Sequence, residues 1–259
     1  MTGRLMRVAA RIGVATSLLA LAQPLHAQST LLDSLRPRVE SAVARADWNA
    51  LDPIAARLRA EANGPAADDP WTHYDLAYVL HRRASELLVE LRDEQARPLL
   101  EEADRELVKA QQLGGGGAAL GLRGAVTGQL AGLDGIVTVM RMGRRSFKQL
   151  DTALAVAPRD PRVALLNGIT RLNAPPAFGG GAAKAEPELR RAVLLFETDR
   201  PVGRVPAWGR VDALIWHAIA LEKLGRTREA RSALMKALRV SPGHAWITQE
   251  LLPRLDAPR

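Results

Sequence analysis

The 259-residue chain has no cysteine. A disulfide framework, a thiolate metal site, a cysteine nucleophile and a lipid-modified N-terminal cysteine are therefore excluded. Aromatic residues are scarce at 4%, including two tyrosines and three phenylalanines. The β-branched and aromatic enrichment of an all-β protein is missing. No apolar run reaches the roughly 18 residues of a membrane span, which excludes a polytopic membrane protein. What is present is ordinary for a folded soluble protein: 47% apolar and 25% charged residues, with 36 Lys and Arg against 28 Asp and Glu. Alanine, leucine and arginine dominate, and all three favour helix.

Residues 1–27 have the form of a secretory signal. Arg4, Arg7 and Arg11 give a basic start without an acid, and Ile12 to Ala22 is a short apolar stretch. Leu25-His26-Ala27 offers a small residue for cleavage, placing Gln28 first in the exported chain. The stretch is about half a membrane span, too short for a stable anchor. The expected location is periplasmic or secreted, with no stable membrane span after signal removal.

The remainder is periodic. Val211, Leu214, Ile215, Ala218 and Leu221 recur at spacings of three and four, one buried helix face. Gly225 stops that helix. A second face follows at Ala230, Ala233, Leu234, Ala237 and Leu238, ended by Pro242. So short a connection makes the two helices antiparallel. Similar second-helix signatures stand at Ala103, Leu107 and Ala110, at Leu150, Ala153 and Pro158, and at Ala185, Leu189 and Ala192.

The spacing of Ala218, Gly225, Ala230, Leu234, Ala237 and Pro242 resembles the tetratricopeptide repeat, whose unit is about 34 residues. Leu214 and His217 depart from it, standing where the repeat has Trp and Leu. The stretch from Asn167 to Phe196, with Trp208-Gly209 and Ala245-Trp246, is similar to exported bacterial tetratricopeptide proteins. The resemblance implies an all-α, right-handed superhelical stack of antiparallel hairpins over residues 28–259, and no chemistry. Its units fall near 31–62, 70–113, 118–159, 161–200 and 209–242, with a capping helix at 244–255.

Catalytic constellations are lacking. Phe178-Gly179-Gly180-Gly181 before Lys184 lacks the order and the preceding strand of a phosphate loop. It reads as an inter-helix loop in which Phe178 plugs an apolar gap. His73 and His81 are too far apart for a helical zinc pair, so no metal and no cofactor are expected. The acids Glu101, Glu102, Asp104 and Glu106 read as a solvated helix face. Basic patches such as Arg226, Arg228 and Arg231 lack interleaved aromatics, which argues against nucleic acid.

The candidate partner-binding surface is the concave side of the repeat array. In the second unit it carries Trp71, Tyr74, Tyr78, His81 and Arg82, whose spacing puts them on one side of a helix. Aromatics and arginine are enriched at binding hot spots. The alternative is that the stripe packs as core beneath the N-terminal hairpin around Trp48. The leading expectation is a non-catalytic scaffold binding a protein or peptide of the cell envelope. The alternative is a solute-capturing partner of an envelope transport system, with a closed pocket near Phe178 and Trp208. An enzyme acting on envelope polymers is a weaker third. Oligomeric state is not legible.

Overall fold

The structure, a computed structural model, describes residues 23–134 and 136–257. The expected signal segment lies outside the described residues up to residue 22, and residues 23–27 belong to the first helix. Among the described residues every regular element is helical, and no helix is long and apolar enough to cross a membrane.

Ten main helices follow one another: α1 Gln23–Ala44, α2 Leu51–Ala62, α3 Pro70–Val89, α4 Asp93–Gln112 and α5 Gly116–Gly132, then α6 Ile136–Val156, α7 Pro161–Asn173, α8 Ala182–Thr198, α9 Arg210–Lys223 and α10 Thr227–Val240. Local chemistry sets several boundaries. Asp69 accepts from the Thr72 amide at 2.8 Å while Pro70 opens α3, and Asp160 with Pro161 does the same for α7. A side-chain acceptor satisfies an orphan amide there, and proline has no amide to leave unpaired. Gly225, at φ 76°, turns the chain between α9 and α10. Beyond Pro242 a wider π turn at Ile247–Leu251 runs into a short helix, Leu252–Asp256, and Trp246 meets Trp216 edge-on at 5.6 Å.

Consecutive helices pair, α3 with α4, α5 with α6, α7 with α8 and α9 with α10. Successive pairs touch through α4 and α5, α5 and α7, α8 and α9, and α7 and α9. The second helix of each pair buries the same small–large–small stripe: Ala103, Leu107 and Ala110; Leu150 and Ala153; Ala185, Leu189 and Ala192; Ala230, Leu234 and Ala237. Ala218 is buried opposite the last of these stripes. In two pairs the facing position has no side chain. A β-carbon on Gly124 would stand 2.7 Å from Leu150 Cγ, and one on Gly168 2.6 Å from Leu189 Cγ. Glycine lets the leucine of the partner helix reach the backbone.

Two surface expectations need correction. Glu106 is buried against His73 and Lys109, Glu102 takes both ends of the Arg59 guanidinium, and Asp104 pairs with Arg123. Glu101 faces solvent as expected, whereas Glu102, Asp104 and Glu106 stitch α4 to its neighbours. Arg226 and Arg231 stay exposed and pair on the surface with Glu229 and Asp256. Phe178 plugs nothing: it is 37% exposed on a short turn before Gly179 and Gly181, both at positive φ. Gly180 earns its place by proximity, because a β-carbon there would overlap the Ala174 carbonyl.

Candidate ligand-binding site

The aromatic stripe of α3 does not face an open groove. Tyr74, Tyr78 and Arg82 follow at intervals of four, which stacks them along one face of the helix. That face is covered by the second half of α1 and by the segment between α8 and α9. Tyr74 is 0% and Tyr78 4% exposed; Trp71, His81 and Arg82 are half-buried. As a partner-binding surface the five residues are therefore corrected. Their cover comes from elements far away in sequence, so helical periodicity alone could not separate groove from core.

The covering segment is a strap, residues 199–209, punctuated by Pro201, Gly203 and Pro206. It delivers Trp208 to 7% exposure. Its ring stacks on Tyr78 with centroids 4.3 Å apart and planes 17° from parallel, and its indole Nε1 donates to Tyr74 Oη at 3.2 Å. Gly209 makes this insertion feasible. It takes φ 102°, and a β-carbon would press on Phe196 at 3.0 Å and Leu165 at 3.2 Å.

Arg36 of α1 fastens the strap to α3. Its Nε donates to Asp75 at 2.8 Å, while Nη1 and Nη2 donate to the carbonyls of Val205 at 3.0 Å and Arg204 at 2.5 Å. Arg204 in turn pairs with Asp69, the acid that caps α3. Between α1, α3 and the strap remains a cavity of about 280 Å³. Leu35, Val39, Leu58, Val79, Ala207 and the Trp208 ring give it apolar walls. Arg36, Glu40, Asp75 and Tyr78 supply its polar groups, with the exposed Asp33 also on its lining.

Charge is concentrated around that cavity. Arg82 pairs with Asp212 of α9 at 2.8 Å, and Arg162 of α7 with Asp199 at 2.7 Å. Glu40 accepts a hydrogen bond from the Tyr78 hydroxyl at 3.1 Å. Burial first, then the Asp212 carboxylate, raise the Glu40 pKa to about 7 against the pull of Arg82, Tyr78 and Arg162. Burial also lifts Asp75 to about 6, although Arg36 holds it down. Desolvation drives Tyr78 well above its ordinary value and lowers His81 to about 4. Neutral His81 contacts the Gln129 carbonyl at 2.7 Å, which makes Nδ1 its protonated nitrogen.

Each arginine named lies against its own carboxylate. Among the described residues no group of acids and histidines could hold a metal ion. Sequence reasoning singled out Trp208 and Tyr78 separately, but it missed Arg36, Glu40 and Asp75. These are ordinary polar positions on helices, and nothing local sets them apart from solvent-facing neighbours. Phe178 takes no part in the cavity lining.

No protein-family model matches the chain, and no curated protein does. Among solved structures it is similar to the HusA haemophore from Porphyromonas gingivalis, with a TM-score of 0.55 and 26% sequence identity. The likeness covers 82% of this chain and 96% of that one.

Proposed function

We propose that this protein is an exported ligand-capturing protein of the cell envelope, enclosing a small, flat, largely apolar ligand between α1, α3 and the 199–209 strap. The observation that carries the reading is the cavity itself, walled by the Tyr78–Trp208 stack and ringed by buried ionisable groups. Buried apolar pockets with a few convergent polar groups are the usual form of small-ligand sites. The near full-length likeness to a haemophore supports capture over catalysis and makes haem the first cargo to test. The basic, apolar N-terminal segment supports export. The scaffold is a tetratricopeptide-like, right-handed superhelical stack whose concave side is closed by α1 and the strap. That closure removes the exposed anchors that a protein-binding groove would need.

At about 280 Å³ the cavity falls just below the ~300–1,000 Å³ that ligand sites usually occupy. A macrocycle therefore enters only if α1 or the strap swings outward. Titration of hemin into the purified protein, followed by Soret absorbance and tryptophan quenching, tests the reading beside a panel of small flat aromatics. Binding in the micromolar range or tighter, weakened by Trp208→Leu, is the expected result. Failure of hemin and of every flat aromatic to bind would overturn it, as would binding untouched by Trp208→Leu.

A further inference from the structure

The charges around the cavity do not balance. Arg36 is matched by Asp75, Arg82 by Asp212, Arg162 by Asp199 and Arg204 by Asp69. Of the carboxylates on the lining that these pairs leave over, Asp33 is exposed and Glu40 is the enclosed one. It stands on the cavity lining and accepts from the Tyr78 hydroxyl, and among the described residues no cation lies within ion-pair distance of it. Of the ionisable groups lining the cavity, Asp33, Glu40 and Asp75 are acidic and only Arg36 is a fixed cation. The cavity thus has largely apolar walls, with an unpaired enclosed carboxylate beside an aromatic stack.

Resting on the ligand-capture reading, we infer that Glu40 is the specificity-determining residue of this site, and that the ligand it selects carries a cationic group, an ammonium, amidinium or guanidinium, on a flat apolar body. The cation would give Glu40 an ion-pair partner, and the body would lie against Trp208 and the aliphatic walls. A charge-assisted hydrogen bond in a water-poor site is about twice as strong as a neutral one and is geometrically selective. An anionic ligand would instead meet Asp33, Glu40 and Asp75. The groups facing Glu40 come from three helices: Tyr78 and Arg82 of α3, Arg162 of α7 and Asp212 of α9. Burial, aided by Asp212, outweighs the pull of Arg82, Tyr78 and Arg162 and leaves the carboxyl protonated through much of the mildly acidic range. Cation binding near pH 6.5 therefore releases a proton, and affinity rises with pH until Glu40 is fully ionised.

The test uses three probes of one shape, 2-naphthylmethylammonium, 2-naphthylmethanol and 2-naphthoate, titrated calorimetrically into the full chain at pH 6.5 and 8. Hemin is run as a separate arm. The ammonium should bind at least about tenfold more tightly than the alcohol at pH 8, since hydrogen bonds to charged groups exceed 1.4 kcal/mol. The naphthoate should bind least. Glu40→Gln should bring ammonium and alcohol to equal affinity and abolish proton release at pH 6.5. Should that variant fail to fold, the wild-type ammonium-to-alcohol ratio and its pH dependence decide the matter. Equal binding of ammonium and alcohol, or an ammonium affinity unchanged in a folded Glu40→Gln, overturns the role of Glu40. Hemin binding without ammonium binding overturns this inference and leaves ligand capture standing. If no probe and no hemin binds, both fall.

Discussion

Tyr78 shows at residue scale how much of this protein depends on what covers a side chain. Its ring is buried between Trp208 and α1, and its hydroxyl serves Glu40. Tyr78→Ala should therefore cost about 3–5 kcal/mol in urea unfolding, the range of aromatic truncations in cores. A cost within about 0.5 kcal/mol would instead mark an exposed position. Glu40 gives a pH signature of defined sign. Its pKa rises from 4.5 to about 7 in the folded chain. Between those values the folded chain holds a proton that the unfolded chain has lost, so stability falls as pH rises. The stability of Glu40→Gln relative to wild type should climb from pH 4.5 to 7 and then level. His81 works in the opposite sense, because its folded value is lowered to about 4. Stability due to it is lost as pH falls from 6.5 toward 4, opposing the contributions of Glu40 and of Asp75, whose folded value is raised to about 6. A His81→Gln variant should therefore lose stability more steeply than wild type as pH rises through this range.

At the scale of elements, the helix pairs depend on how closely each leucine of the second helix approaches the first. Gly124→Ala and Gly168→Ala insert a methyl where Leu150 and Leu189 already sit. Each should destabilise by about 1–3 kcal/mol through overpacking. Gly132, also in α5, has nothing within 4 Å of its would-be β-carbon. Gly132→Ala should be stabilising by about 0.5–1 kcal/mol, since helical glycine carries only its entropy cost. Thermal or urea melts of the three variants separate a packing requirement from simple helix propensity. The repeated alanine and leucine stripe was legible in the sequence because these contacts lie within a hairpin. The strap was legible only as a loop: Pro201, Gly203 and Pro206 announce irregular chain without saying where it lies.

For the whole molecule, the Arg82–Asp212 pair joins α3 to α9 across 130 residues. In an open repeat array each unit touches only its neighbours, and a perturbation fades along the stack. Here the second hairpin and the last are linked directly, and both members of the pair are nearly buried. Asp212→Ala should cost about 3–5 kcal/mol by leaving Arg82 without its carboxylate. It should also reduce hydrogen-exchange protection in α3 as well as α9. Loss confined to α9 would indicate nearest-neighbour behaviour. Removing residues 209–259 should have the same distant effect on α3 and expose the α8 face that α9 covers.

The sequence by itself determined helicity, the positions of several helix ends, and the alanine–leucine faces on which helices pair. Those properties follow from backbone preference and from contacts a few residues apart, which periodicity records. It also marked Trp208 and the α3 stripe as unusual. Only the tertiary structure decided that the stripe is enclosed, that Trp208 stacks on Tyr78, and that Glu40 stands beside a cavity with no cation within ion-pair distance among the described residues. Burial of a side chain and the pairing of a charge are properties of what lies opposite. For this inner face the opposing groups come from α1, α7, α9 and the strap, separated from α3 by tens to more than a hundred residues of chain. No local pattern encodes that encounter.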